Sequence, residues 1–216
     1  MQRAVDLLVA GVALVLLSPL LALVAVAVLV LSGRPVLYRQ VRVGKDGKPF
    51  SLWKFRTMTV RSDGPLLTVG ADGRVTRVGS VLRRRRLDEL PQLWNVLRGD
   101  MSLVGARPEL PALVRTDLPD QQEVLRHRPG VTDPASLAFR DEAELLAGQQ
   151  DPIAYYRAVV LPAKLALSAD YLRHRSVRTD AGVLSRTALC LLAPSARAPR
   201  PSPAVIELPA ESKVSG

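Results

Sequence analysis

The longest apolar pattern in the chain covers residues 7–31, 25 positions without a charge, built from Leu, Val and Ala apart from Gly11, Ser18 and Pro19. A helix of that length is about 38 Å long, more than the roughly 30 Å hydrocarbon core of a bilayer requires. The run therefore predicts a membrane segment, and it exceeds the roughly 7–15 apolar residues of a cleaved signal peptide. Ser18 and Pro19 fall at its midpoint. Proline removes a backbone donor and clashes with the carbonyl four residues earlier, while a serine hydroxyl can satisfy a freed backbone group, so a bend is expected there. On the residues alone a kinked spanning helix is the preferred reading. The alternative is a re-entrant hairpin with both ends on one face, which must bury its bent backbone in protein or headgroups.

Downstream the period changes. Residues 35–58 alternate partly between apolar and polar on either side of Lys45-Asp46-Gly47-Lys48, which predicts a short β-hairpin turning at Asp46-Gly47. Residues 62–73, rich in Gly and Asp, read as a loop. Val78, Val81, Leu82, Leu90, Leu93, Trp94 and Leu97 then recur at helical spacing up to Gly99, a suitable C′ glycine. Pro91 interrupts that pattern and predicts two helices meeting near Leu87, with Asp88 and Glu89 opening the second. Residues 105–109 and 128–132 are Gly- and Pro-bearing clusters that can turn the chain or hold phosphate. Helices are predicted over 141–147 and 154–172, the second containing Pro162. The tail at 193–216 carries prolines without periodicity and is expected to be disordered.

Charge narrows the setting. Among 216 residues, 30 Lys and Arg stand against 20 Asp and Glu, a formal +10 that favours anionic partners. Between positions 33 and 61 eight basic residues accompany one acid, which by the positive-inside rule places the following domain in the cytoplasm. A single cysteine, Cys190, excludes an intramolecular disulfide, and with only His127 and His174 a Cys/His zinc site lacks ligands. Any metal is expected to be held by oxygen. The chain has no Walker A, GxGxxG or G-x-S-x-G motif and no nucleic-acid module, and anionic lipid explains its basicity as well as nucleic acid does.

The sharpest feature is RRRRLDELPQLW at 83–94, four arginines running into Asp88 and Glu89. Taken alone, these acids suit an N-cap and a first helical turn, and the arginines a solvated face. In company they say more. QVRVG at 40–44, KFRTM at 54–58, RVTRVG at 74–79, LDELPQLWNVLRGDMSLVG at 87–105, ARPE at 106–109 and RPGVT at 128–132 resemble, in order and spacing over about residues 1–187, the bacterial sugar transferases. Within these, the chain is similar to the small monotopic polyprenyl-phosphate phosphoglycosyl transferases.

The resemblance implies transfer of a sugar phosphate from a UDP-sugar to polyprenyl phosphate with release of UMP, the first membrane step of surface glycan assembly. It implies Asp88 as nucleophile through an aspartyl phosphosugar, and Glu89 assisting at a Mg²⁺ ion or in proton transfer, both acids serving as metal ligands. Lys54, Arg83 and Arg107 are implied as phosphate-binding residues, and Arg128, Pro129, Gly130 and Thr132 as nucleotide-binding ones. Bidentate guanidinium contacts suit phosphate. It also makes Ser18 and Pro19 the bend of a re-entrant helix. The fold expected is α+β, mostly α: a re-entrant membrane anchor over 1–33 and a small cytosolic catalytic domain with a short β-hairpin over 34–192. Its expected place is the cytoplasmic face of a bacterial inner membrane, on anionic lipid, with room for a homodimer. Three positions depart from the family pattern: Ala106 for a proline, Asp133 for a glycine, and Ser168 where an acid often stands; residues 134–147 also differ. The alternative is a non-catalytic membrane-docked partner of a glycan-assembly complex.

Overall fold

The computed structural model describes residues 2–59, 69 and 72–192. The expected disordered tail and most of the expected loop at 62–73 lie outside those residues. Helices α1 (Gln2–Leu16) and α2 (Ser18–Ser32) meet at a 61° bend. Among the described residues no single helix is long and apolar enough to cross a membrane, whereas this bent pair is, by length and composition. The bend follows from the Ser-Pro pair. Pro19 has no N–H to offer the Val15 carbonyl, and the Ser18 hydroxyl donates to it instead at 2.8 Å. On either side the backbone ladder is intact, with Leu17 N–H donating to Ala13 and Leu21 N–H to Leu17, both at 2.8 Å.

Both ends of the pair are fastened to the globular part. Arg3 donates to the carbonyls of Val96 and Met101 at 2.6 and 3.1 Å, and buried Asp6 accepts from the Leu103 N–H at 3.2 Å. At the other end Arg56 donates to Arg34 and Gly33 carbonyls at 2.7 and 2.8 Å, and to that of Ser32. Ala10 of α1 joins a core with Leu93, Val96 and Met101, while Val24 and Val28 of α2 pack on Phe55 and Leu82. The outer faces, including Leu8, Val12, Leu16, Leu23, Val26 and Val30, are apolar and exposed.

The predicted hairpin is present. β1 (Leu37–Val43) and β2 (Pro49–Phe55) pair antiparallel, Leu37 opposite Phe55, around a 3₁₀ turn at Lys45–Gly47 in which Asp46 and Gly47 take φ of 56° and 72°. Alternation puts Phe50, Leu52 and Lys54 on one face. Leu52 is buried in the core, and Lys54, two residues on, reaches the acids. Buried Asn95 fixes this strand: it accepts from the Trp53 N–H at 3.0 Å and donates to the Ser51 carbonyl at 2.7 Å.

α3 (Arg77–Arg84) is capped by Thr76, whose hydroxyl accepts from the Gly79 N–H at 3.0 Å. A Cβ on Gly79 would come within 2.1 Å of the Thr57 carbonyl oxygen, so only glycine lets α3 sit against the strand exit. The two acids do not open the next helix as expected. They lie in a separate 3₁₀ turn, Leu87–Glu89, and α4 (Gln92–Arg98) starts after Pro91. Proline cannot donate to Leu87 and its ring crowds that carbonyl, so the chain uses shorter bonds, Glu89 N–H to Arg86 and Leu90 N–H to Leu87, both at 3.3 Å. Gly99 ends α4 in the left-handed region at φ 93°, as predicted.

The two clusters at 105–109 and 128–132 adjoin a parallel pair, β3 (Ser102–Val104) with β4 (Gly130–Thr132). α5 (Pro119–Leu125) precedes β4, and α6 (Pro134–Ala138) and α7 (Glu142–Ala147) follow it. α8 (Pro152–Tyr155) runs through a π turn at Tyr156–Val160 into α9 (Leu161–Arg173). The wider π turn falls just before Pro162, where a regular helix would need the missing N–H. α10 (Val177–Leu192), which the sequence reading did not identify, packs on α6, β3 and β4.

Candidate active site

Asp88 and Glu89 share one 3₁₀ turn yet have opposite surroundings. Glu89 accepts from Arg107 Nη1 at 3.1 Å through Oε2, and its Oε1 accepts from Arg107 Nη2 and from Lys54 Nζ, the latter at 3.3 Å. Asp88 is 7 % exposed and makes no hydrogen bond with its carboxylate among the described residues. Burial pushes the Asp88 carboxyl up and the Glu89 charge adds to that, while Lys54, Arg83 and Arg107 pull the other way. Burial also acts upward on Glu89, but Arg107 and Lys54 outweigh it and hold this carboxyl well below the usual range. Lys54 is lowered to about 8 by burial, against the pull of Glu89. Arg83 leaves the last turn of α3 and donates to the Thr57 hydroxyl at 2.9 Å.

Asp88, Glu89, Lys54, Arg83 and Arg107 are thus brought together from α3, the 3₁₀ turn, β2 and the loop after β3. Arg86 joins them without having been singled out. It takes a left-handed backbone at φ 50°, and burial lowers its guanidinium among Glu89, Arg107, Arg140 and Asp88. A run of four arginines carries no signal of which one turns inward. The backbone at Arg86 decides it.

The RPGVT residues have other contacts. Exposed Arg128 donates to the Gly99 carbonyl at 3.0 Å, the Pro129 carbonyl accepts from Ser102 N–H at 2.8 Å, and Thr132 pairs its hydroxyl with that of Thr187 at 2.8 Å. Gly130 lies so close to Gly105 that an added Cβ would be 2.1 Å from the Gly105 nitrogen. That glycine is needed for strand packing, and no described hydrogen bond joins these four residues to the acids. Two departures from the family pattern meet each other. Asp133, 1 % exposed, accepts from the Ser168 hydroxyl at 2.6 Å and from the Ser136 N–H at 2.8 Å, and its charge acts on Arg107. Ala106 is buried, with its carbonyl accepting from the Gly130 N–H at 2.9 Å.

No group of three or more His, Cys, Asp or Glu side chains is placed to hold a metal among the described residues. The donor set nonetheless fits Mg²⁺ in one way. That ion is commonly held by one or two carboxylates completed by phosphate oxygens and water, and Asp88 has oxygens uncommitted to donors among the described residues. Glu89, engaged by Arg107 and Lys54, is the lesser ligand.

The site is thus a turn that sets two acids among buried cations, beside a bent apolar helix pair. The chain belongs to the bacterial sugar transferase family, whose profile matches residues 1–194. It is 38 % identical over 196 residues to the UDP-glucose:undecaprenyl-phosphate glucose-1-phosphate transferase of Caulobacter vibrioides, covering 88 % of this chain and 69 % of that protein. It is 41 % identical over 163 residues to the Escherichia coli K12 protein of the same name, covering 72 % of this chain and 35 % of that one. An Aeromonas hydrophila UDP-N-acetylgalactosamine-undecaprenyl-phosphate N-acetylgalactosaminephosphotransferase is 48 % identical over 110 residues, covering 50 % of this chain and 26 % of its own. The matched stretch thus spans about a third or less of the latter two.

Proposed function

We propose that this chain transfers a sugar 1-phosphate from a UDP-sugar to polyprenyl phosphate, releasing UMP, in two displacements at one carboxylate. The observation that carries the reading is the asymmetry of the acid pair: Asp88 is buried among cations with no hydrogen bond to its carboxylate among the described residues, and Glu89 is engaged by two of them. In the first displacement an Asp88 oxygen attacks the β-phosphorus. The bond from that phosphorus to the bridging oxygen breaks, and UMP leaves with the oxygen. In the second, a phosphate oxygen of polyprenyl phosphate attacks the same phosphorus and Asp88 departs as a carboxylate. One hard exchange between bulky phosphates becomes two easier ones.

Arg107, Lys54 and Arg83 hold phosphate oxygens, and Glu89 fixes the first two in place while assisting at the metal or in proton transfer. Bound Mg²⁺ supplies positive charge that offsets repulsion between the attacking carboxylate and the diphosphate. Arg128, at the start of RPGVT, serves the nucleotide end. The helix pair is read as re-entrant. In support, Arg3 and Arg56 tie both of its ends to the same domain, it bends by 61°, and its outward faces are apolar. The domain then lies on the cytoplasmic face of the inner membrane, with its basic surface toward anionic lipid.

The test is direct. Purified protein in detergent with Mg²⁺ and polyprenyl phosphate should release UMP from at least one sugar in a broad UDP-sugar panel, and chelating the metal should stop it. Silence across the panel would overturn the reading in favour of a non-catalytic membrane-docked partner.

A further inference from the structure

Between the bend of the helix pair and Glu89 lies a cavity of about 250 Å³, just below the roughly 300–1,000 Å³ usual for small-ligand sites. Its wall is mostly apolar, formed by such residues as Leu93 of α4, Leu137 of α6 and Leu184 of α10. It includes Leu17, at the bend itself, and Leu191, exposed near the end of α10. The charged part of the lining is mainly cationic, Arg84, Arg86 and Arg140 standing there with Glu89, while the hydroxyls of Thr132 and Thr187 are paired with each other. Ser136 also lines it, with a buried hydroxyl that has no hydrogen-bond partner among the described residues. A wall of this kind cannot satisfy the hydroxyls of a sugar or the edge of a uracil, and burying those groups unpaired is costly. It suits a molecule with one anionic head and a run of apolar units.

We propose that this cavity receives the proximal isoprene units of the acceptor polyprenyl phosphate, whose phosphate is held by Arg86 and Arg140 beside Glu89. The inference rests on the transfer reading above and adds where the acceptor sits. The two substrates then draw on different cations, the donor diphosphate on Lys54, Arg83 and Arg107, and the acceptor on the arginines of the cavity. Charge complementarity favours a lipid phosphate over an uncharged chain, and continuity with the bend gives the lipid a way in from the membrane. α10 and the end of α1 become the walls of a lipid site.

The chain supplies its own reporter, since its one cysteine, Cys190, lines the cavity and is half-buried. Alkylation of Cys190 by N-ethylmaleimide can be followed on the unmodified full chain in detergent. Polyprenyl phosphate at ten times its Kd should slow the reaction about tenfold by simple occupancy. UDP-sugar alone, or phosphatidylglycerol at the same concentration, should leave it unchanged. An unaltered rate at a polyprenyl phosphate concentration that supports full turnover would overturn the assignment, as would equal slowing by phosphatidylglycerol. Protection of Cys190 in a protein inactive with every UDP-sugar would retain the lipid site and sink the transfer reading instead. Leu184→Trp, which fills the wall, should raise KM for polyprenyl phosphate more than KM for UDP-sugar; an equal rise in both would count against the cavity.

Discussion

Two buried charge clusters lie on either side of Pro108, and they are built to opposite plans. On one side Arg107 joins Lys54, Arg83 and Arg86 around Glu89 and Asp88, so among the described residues cations outnumber acids and one carboxylate has no protein donor. On the other, Glu109 accepts from the Tyr156 hydroxyl at 2.9 Å, while Lys164 donates to Glu142 at 2.8 Å and to Tyr156 at 3.3 Å and lies 3.8 Å from Glu109. That second cluster is closed, because every charge in it has a partner and two acids share one lysine. The first is open, with an excess of positive charge among the described residues that an incoming anion can balance. Burial alone therefore does not mark a reactive group. A desolvated acid whose neighbours leave it uncommitted does.

The largest contrast is expected at Asp88. Asp88→Asn should abolish turnover in the UMP-release assay while leaving the melting temperature near that of the wild type, since no hydrogen bond to this carboxylate is lost. Glu89→Gln should keep the nucleophile but weaken the hold on Arg107 and Lys54. Steady-state kinetics should show a loss of about 10²–10⁴-fold, the range of a positioned acid or base. In the closed cluster the effect should move from rate to stability. Lys164→Met removes the cation shared by Glu109 and the partly exposed Glu142 and should cost up to roughly 3 kcal/mol in denaturant unfolding, and the molecules that remain folded should still release UMP. The smallest effect is in pH. Burial sets Lys54 at about 8, so rising pH through that value removes its charge from the free enzyme. kcat/KM for UDP-sugar should fall there and kcat less, because bound phosphate keeps the proton on. Lys164, held above its usual value by Glu109 and Tyr156 despite burial, should contribute no change over that range. A flat profile in kcat/KM would erase the distinction drawn between the two lysines.

Much of this was legible in the chain. The hairpin at Asp46-Gly47, the bend at Ser18-Pro19 and the end of α4 at Gly99 each rest on one residue with a strong backbone preference. The grouping of Lys54, Arg83, Arg107 and the two acids followed from the resemblance to the family. What escaped depends on contacts between distant parts. β3 and β4 have three residues each, too few to show a period, and the glycines that read as loop permit two backbones to touch. The inward turn of Arg86 is a matter of one left-handed residue in a run of identical side chains. The bond between Asp133 and Ser168 joins two departures that looked unrelated 35 positions apart.

The central claim is that Asp88 carries the sugar phosphate between two half-reactions. Enzyme mixed with a reactive UDP-sugar and Mg²⁺, but without polyprenyl phosphate, should be quenched and weighed intact, then digested to locate any adduct. Release of up to about one UMP per active site is expected, with a gain of one phosphosugar mapped to Asp88, the mark of a double displacement. An adduct on Glu89, or product formed by Asp88→Asn at near the wild-type rate, would contradict it.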